Sequence, residues 1–262
     1  MKKILLRGGG DLATGIAVRL HRCGFSVIIA ELPAPLSVRR KVSFSEAVYD
    51  GAILVEGVEA VRAATYEEAM QQLALDKVPV CVDPDLAMLP TGHFDAVIDA
   101  RLMKVEHPPI EENSPFTIGL GPGFSVGANC HAAIETERGH HLARVMWSGS
   151  PSPDSGMPEG DPRRVFRAPC DGVVRVVADI GSLVVAGQLL AEVGLVPVYA
   201  PLDGVIRGMM RDGTWTQKGV KLGDVDTRGD ASYCYTISDK AYAIAGGVLE
   251  ALLTYSEKKR AS

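Results

Sequence analysis

Ile4-Leu5-Leu6-Arg7-Gly8-Gly9-Gly10-Asp11-Leu12-Ala13-Thr14-Gly15-Ile16-Ala17 is the stretch on which the fold turns. A short apolar run meets three glycines, and then Leu12, Ile16 and Leu20 recur at helical spacing. Cys23-Gly24 supplies the C-terminal glycine that stops a helix. Val27-Ile28-Ile29-Ala30 reads as a buried strand closed by Glu31. The order is strand, glycine turn, helix, strand, acid. Gly8-x-Gly10-x-x-Ala13 fits the G-x-G-x-x-G/A spacing of dinucleotide sites, with an acid about 20 residues on. Glycine lets the backbone approach a pyrophosphate, and the helix N-terminus offers free N–H groups and the positive end of its dipole. Glu31 would accept from ribose hydroxyls. Gly8, Gly9, Gly10, Asp11 and Glu31 are therefore candidate cofactor-binding residues. The alternative is a turn that serves packing alone, with Asp11 as the helix N-cap.

The alternation continues outward. Residues 46–49 read as a short helix and Ala52-Ile53-Leu54-Val55 as a strand. Thr65-Tyr66-Glu67-Glu68 opens a helix with a capping box. Val78-Pro79-Val80-Cys81-Val82 and Ala96-Val97-Ile98-Asp99-Ala100 are further strands. Strands alternating with helices predict an α/β domain with a parallel, Rossmann-like sheet. Ligands bind such sheets beyond the strand C-termini, where Glu31, Asp83, Asp85, Asp99 and Arg101 stand. Acids at strand ends also cap the helices that follow, and for each singly that reading is favoured. Arg39-Arg40-Lys41 is a second place for an anion or a solvated basic face.

Phe116-Thr117-Ile118-Gly119-Leu120-Gly121-Pro122-Gly123-Phe124 follows as an apolar strand running into a glycine loop. With Gly121 and Gly123, that loop is a second backbone cradle for an anion, and Arg138 is near in sequence. The first glycine turn, residues 119–127, Glu31 and Arg101 are expected to share one pocket. Two further chemistries stand open beside it. Cys130 next to His131 could be an activated thiolate, and His131, Glu135, His140 and His141 could hold a metal. Against both, neighbours on a strand point to opposite faces. Residues 148–162 are dense in Gly, Pro, Ser and Asp and read as a linker.

From Ala168 the chain repeats at an offset of 32 residues: Ala168-Pro169-Cys170-Asp171-Gly172-Val173-Val174 matches Ala200-Pro201-Leu202-Asp203-Gly204-Val205-Ile206. Short β segments given twice predict two interlocking halves around one small core. The pattern resembles the barrel-sandwich hybrid of biotinyl and lipoyl domains. No lysine occurs between Lys104 and Lys218, so the hairpin between the halves lacks an acceptor, and no biotin or lipoyl group is expected. After it, Ser238 or Asp239 caps a helix with an Ile244, Val248, Leu252 stripe. Gly246-Gly247 within that helix costs stability and so implies close packing.

Composition narrows the function. The 262 residues carry a formal net charge of -5, which leaves no basic footprint for nucleic acid. No apolar run approaches the roughly 18 to 20 residues of a membrane span. The start is too short in apolar residues for a signal peptide. Five scattered cysteines without a CxxC pair suggest reduced thiols and a cytoplasmic setting.

Taken together, these motifs resemble the YqeB-like family, accessory proteins of the selenium-dependent molybdenum hydroxylase system. The resemblance is carried by residues 8–15, Glu46-Ala47-Val48-Tyr49, Val55-Glu56-Gly57-Val58, residues 119–124, Ile134-Glu135-Thr136 with Arg138-Gly139-His140, and the Ala-Pro-x-Asp-Gly repeat. The N-terminal part is also similar to the Rossmann-like domain of XdhC, a maturation factor that handles molybdopterin. The resemblance implies a maturation factor for a molybdenum hydroxylase client, binding molybdopterin or a dinucleotide, with a homo-oligomer also open. A nucleotide-dependent oxidoreductase and a non-catalytic docking adaptor are the alternatives. The expected organisation is a Rossmann-like domain over 1–105, a glycine-rich β segment and linker over 106–163, and a barrel-sandwich module with a C-terminal helix over 164–262.

Overall fold

The computed structural model describes residues 3–103, 105, 107–109, 114–153 and 160–261, with side chains described as far as Glu257. The centre of the expected linker, residues 154–159, lies outside them. The chain divides into two units. One comprises Met1–Pro35, Phe44–Ser155 and Ile237–Ser262; the other comprises Leu36–Ser43 and Gly156–Thr236.

The first unit is built on one sheet. Its strands are β1 (Lys3–Arg7), β2 (Ser26–Glu31), β3 (Ala52–Val55), β4 (Val58–Ala63), β5 (Val78–Val82), β6 (Ala96–Asp99), β7 (Phe116–Leu120), β8 (Ala132–Ile134) and β9 (Val145–Met146). They lie in the order β3-β4-β5-β2-β1-β6-β7-β8-β9. Pairing is parallel from β4 through β8 and antiparallel at both edges, β3 with β4 and β8 with β9. The helices are α1 (Asp11–Arg22), α2 (Ala47–Asp50), α3 (Tyr66–Ala74) and α4 (Asp239–Ala261).

The expected fold class, an α/β Rossmann-like domain plus a barrel-sandwich module and a helix, is corrected here. The described residues are mostly β: a large mixed sheet and two antiparallel sheets. The alternation that suggested a parallel α/β sheet holds only locally. Among the described residues no α-helix stands between β6 and β7 or between β7 and β8, and the glycine-rich middle segment adds its strands to the first sheet. β4 went unread, although its alternation of buried Val58 and Ala60 with more exposed Glu59 and Arg62 is a strand signal.

α1 buries Leu12, Ile16, Ala17 and Leu20. It packs closely on α4: a Cβ on Gly15 would sit 2.8 Å from the Ala241 Cβ. Gly247 meets a different neighbour, since a Cβ there would lie 2.3 Å from the Ala143 carbonyl oxygen. That close approach offsets the helix-propensity cost of glycine. Thr65 caps α3 by accepting from the Glu68 N–H, while the Glu68 carboxylate accepts from the Ala64 N–H.

The second unit makes the repeat visible. Its strands are β10 (Val165–Arg167), β11 (Gly172–Val176), β12 (Leu183–Val184), β13 (Leu189–Val193), β14 (Val196–Tyr199), β15 (Gly204–Met209), β16 (Trp215–Thr216) and β17 (Lys221–Asp226). They form two antiparallel sheets, β10-β17-β15-β12 and β14-β13-β11-β16. β11 corresponds to β15, β12 to β16 and β13 to β17, so each sheet takes strands from both halves of the repeat. Repeat partners Val174 and Ile206, Leu190 and Leu222, and Val193 and Val225 all enter one core. Gly187 and Gly219 hold the same left-handed turn, φ +83° and +84°. The segment Leu36–Ser43 joins this unit through the Val38 carbonyl, which accepts from the Met209 N–H at 2.9 Å.

Candidate functional site

β1, β6 and β7 run parallel and end at one rim, because Arg7 is in register with Asp99 and Asp99 with Gly119. The chain leaves β1 at Gly8, β6 at Ala100 and β7 at Gly121, so all three turns emerge together. Gly8 has φ +92°, and a Cβ there would meet Arg101 Cγ at 3.4 Å. Gly121 has φ +76°, and its Cβ would meet Thr136 Oγ1 at 2.7 Å and Leu102 at 3.4 Å. On Gly123, φ +92°, a Cβ would lie 2.4 Å from the Val105 carbonyl oxygen and 3.2 Å from His107 Cδ2. The two glycine stretches thus lie at the same end of the sheet, both against the segment that follows β6.

A charged cluster sits at this rim. Asp99 is buried and accepts from Arg101 Nε at 3.0 Å and Nη2 at 2.5 Å. Arg7 Nη1 lies 3.6 Å and His107 Nδ1 3.9 Å from the same carboxylate. Burial, and then the neighbouring Arg101, lower the Arg7 pKa, against the pull of Asp99, Asp85 and Asp83. Asp83 is committed to its own turn, where it accepts from the N–H groups of Ala87, Met88 and Leu89. Asp85 acts on Arg7 as a nearby charge. Two guanidinium groups therefore share one close carboxylate, with the Asp83 and Asp85 charges near Arg7 as well.

His107 completes the cluster. Its ring stacks on Phe124 with centroids 3.9 Å apart. Burial is the main cause lowering its pKa; Asp99 opposes this, while Arg101 and Arg7 add to it, so the imidazole is neutral at pH 7. Its Nε2 is buried and has no hydrogen-bond partner among the described residues. Asn129 pins the surrounding loop. It donates to the carbonyls of His107 and Gly123 at 3.2 and 3.0 Å and accepts from the Ser125 N–H at 2.7 Å. Arg7, Asp99, His107, Thr117, Phe124 and Asn129 are among the residues that line a cavity of about 190 Å³ at this rim.

Glu31 serves a different purpose from the one its position suggested. Its Oε1 accepts from the Gly9 N–H at 2.8 Å and its Oε2 from the Leu32 N–H at 2.5 Å. Burial raises its pKa, and those two N–H groups act against the rise. The glycine turn is also covered: the Gly9 carbonyl accepts from Ser45 N–H at 2.9 Å, and Thr14 Oγ1 accepts from Phe44 N–H at 2.8 Å. A Cβ on Gly9 would lie 2.9 Å from Ser45 N, so this glycine is demanded by packing. Gly10, not Asp11, is the N-cap of α1, and it makes no side-chain cap bond. Of the candidate residues, Gly8, Arg101, Gly121 and Gly123 gather around Asp99 and His107. None of the eight candidates, Gly8, Gly9, Gly10, Asp11, Glu31, Arg101, Gly121 and Gly123, is among the cavity's lining residues.

No protein-family model matches the chain. Over 254 residues it is 42% identical to "Uncharacterized protein YqeB" of Escherichia coli (strain K12). The chain is similar to that protein along nearly its whole length. The match covers 95% of this chain and 47% of that protein, so the chain spans about half the length of its curated relative. It supports a YqeB-like family. Among solved structures, the product-bound ectoine utilization protein EutE (DoeB) from Ruegeria pomeroyi is 15% identical with a TM-score of 0.26, covering 86% of this chain and 85% of that one. The succinylglutamatedesuccinylase/aspartoacylase from Rhodobacter sphaeroides is 11% identical with a TM-score of 0.28, covering 86% and 84%.

The sulfur and metal chemistries left open by the sequence find no support in the geometry. Cys130 is fully buried, and burial pushes its thiol up to about 11. The His131 Nδ1 accepts from the Thr117 N–H at 3.0 Å and is spent on the backbone. Glu135 accepts from the Glu137 and Ser152 N–H groups, and Arg138 pairs with Asp239 at 2.7 Å. Among the described residues, no group of three or more His, Cys, Asp or Glu could hold a metal ion. Sequence reading missed Arg7, His107, Phe124 and Asn129. The available signals were an arginine immediately before the first glycine and a histidine before two prolines, His107-Pro108-Pro109.

Proposed function

We propose that the chain is an accessory factor that binds a ring-bearing anion, of molybdopterin or nucleotide type, at the cavity where β1, β6 and β7 end. The observation that carries this is the lining of that cavity, where Arg7, Asp99, His107 and the Phe124 ring stacked on it stand together. Arg7 supplies positive charge at the lining, Phe124 supplies an aromatic wall, and His107 supplies a neutral polar group. These residues fit a heteroaromatic ring attached to a negative group. The cavity, about 190 Å³, is smaller than the 300–1,000 Å³ usual for a drug-sized ligand. It suits one ring system better than both halves of a dinucleotide.

The resemblance to the YqeB-like family supports the biological setting: maturation of a selenium-dependent molybdenum hydroxylase, with that enzyme as the client partner. All five cysteines are free thiols, which supports a reducing, cytoplasmic setting. The test is mass spectrometry of small molecules released from protein purified from its native host, beside Arg7→Ala prepared in the same way. The expected result is a pterin or nucleotide released by the wild type and reduced in the variant. A wild type that releases neither class overturns this reading.

A further inference from the structure

We propose that Arg207, in the second unit, holds an oxyanion of the phosphate class, with Arg39 and Arg228 beside it. The inference is independent of the binding reading above.

The repeat supplies its own comparison. At the offset of 32 residues, Arg207 corresponds to Arg175 and Asp224 to Glu192. In the first half, Arg175 stands opposite Glu192 and donates to it from Nε at 2.9 Å and Nη2 at 2.8 Å. In the second half, Ile206 pairs with Val225 as its counterpart Val174 pairs with Val193. The register then shifts by one residue, and Gly208 takes the place opposite Asp224. Arg207 is the extra residue of this bulge. A bulge leaves one residue out of the ladder and re-aims its side chain. The acid that Arg207 has left is satisfied by other bases, Arg164 and Lys221.

Arg207 gains no equivalent partner. Among the described residues its guanidinium makes no hydrogen bond, and Asp226 stands 3.8 Å from Nε. Asp226 is itself occupied, accepting from Arg228 Nε at 2.9 Å and Nη2 at 2.5 Å. Asp230, a further acid near Arg228, is taken up by the Ser232 N–H and hydroxyl. The Arg207 side chain is 20% exposed; Nε is enclosed, while Nη1 and Nη2 keep access to solvent. Burial, and then Arg39, lower its pKa; Asp226 and Asp224 oppose this, and Arg228 adds to it. Arg39 is fixed by donating from Nη2 to the Tyr233 and Thr236 carbonyls at 2.9 and 3.1 Å. The Arg228 guanidinium lies 4.4 Å from the centre of the Tyr233 ring. A mostly buried cation without acceptors is costly, and the N–H fork of arginine matches two oxygens of a phosphate. A dianion answers the combined field of three guanidinium groups better than a single carboxylate does.

The test titrates the full chain with inorganic phosphate at constant ionic strength, read by calorimetry and by thermal melts. Phosphate is expected to bind and to raise the melting temperature. Arg207→Met is expected to weaken phosphate at least about tenfold, the size of one charged hydrogen bond. Without phosphate this variant melts no lower than the wild type, because it removes a buried cation that has no acceptor. Arg207→Lys keeps the charge without the fork and falls between the two, and Arg175→Met leaves phosphate affinity unchanged. Glycerol 3-phosphate and acetate complete the series: an ester bound more tightly than the free ion places the phosphate on a larger molecule, and acetate bound more tightly than phosphate overturns the ligand class. An Arg207→Met chain that melts lower and binds phosphate as before reveals an ordinary structural ion pair with Asp226 and overturns the proposal. Affinity lost in Arg7→Ala but kept in Arg207→Met moves the ion to the first unit and overturns it as well. So does a wild type that binds no phosphate.

Discussion

The Glu31 carboxylate lies 2.8 Å from the Gly9 nitrogen and accepts its hydrogen bond. Gly9 lies in the turn that follows β1, and Glu31 ends the strand beside it. The glycine turn therefore carries its own anion. One N–H group that the turn would turn toward a phosphate is already satisfied by a side chain, and the weight of the candidate site moves one strand over, to Asp99 and His107.

Glu31→Ala is expected to destabilise the fold by about 1–3 kcal/mol, because it strands the Gly9 and Leu32 N–H groups in a buried place. Urea unfolding measures it. The pH dependence has a definite sign. Burial raises the Glu31 pKa above its ordinary 4.5, so the folded state holds this proton more tightly than the unfolded chain. Relative to Glu31→Gln, the wild type is most favoured below that value and loses ground as pH rises through the folded pKa. A difference that instead grows toward neutral pH contradicts the assignment.

Gly9→Ala is expected to cost about 1–3 kcal/mol through overpacking, since its Cβ would press on the Ser45 backbone. Gly92→Ala, whose Cβ opens onto free space, stays within about 0.5 kcal/mol of wild type. Paired thermal melts compare them. Equal effects at both positions would remove the packing explanation for Gly9.

Alkylation with iodoacetamide at pH 8 orders the thiols. Burial pushes Cys81 up to about 12 and Cys130 up to about 11, whereas Cys23 is exposed. Peptide mass spectrometry is expected to show Cys23 modified first, with Cys81 and Cys130 protected until the protein unfolds. Early modification of Cys130 in the native protein would restore a reactive-thiol role.

Thr65→Ala removes the hydroxyl that accepts from the Glu68 N–H at the start of α3. The expected loss is about 1 kcal/mol, readable as a shift in urea midpoint at unchanged slope. Thr65→Ser retains the oxygen and is expected to keep nearly all of the stability.

Local patterns in the chain were legible from residues alone. Leu12, Ile16 and Leu20 mark α1, Thr65 with Glu68 marks the start of α3, and the 32-residue offset marks the paired strands of the second unit. Each of these depends on near neighbours, whose spacing states which backbone period will bury their apolar side chains. The repeat is legible for the same reason, since two like segments bury like residues: Val174 with Ile206 and Leu190 with Leu222 enter one core.

Other features came only with tertiary structure. Strand alternation did not say that β3 and β9 would run antiparallel at the sheet's edges, or that the glycine-rich middle segment would extend the first sheet. Gly8 and Gly121 announced tight turns, but which turns share a rim depends on strand order, and pairing energies are set by whole faces meeting across the sheet. Asp99 and His107 are eight residues apart, and the sequence between them has no apolar period to read. Their approach, and the stacking of Phe124 on His107, follow from β6 and β7 lying side by side. Sequence spacing determined which groups this chain can present; the order of its strands decided which of them stand within reach of one another, because reach is a distance in space that hydrogen-bonded neighbours impose.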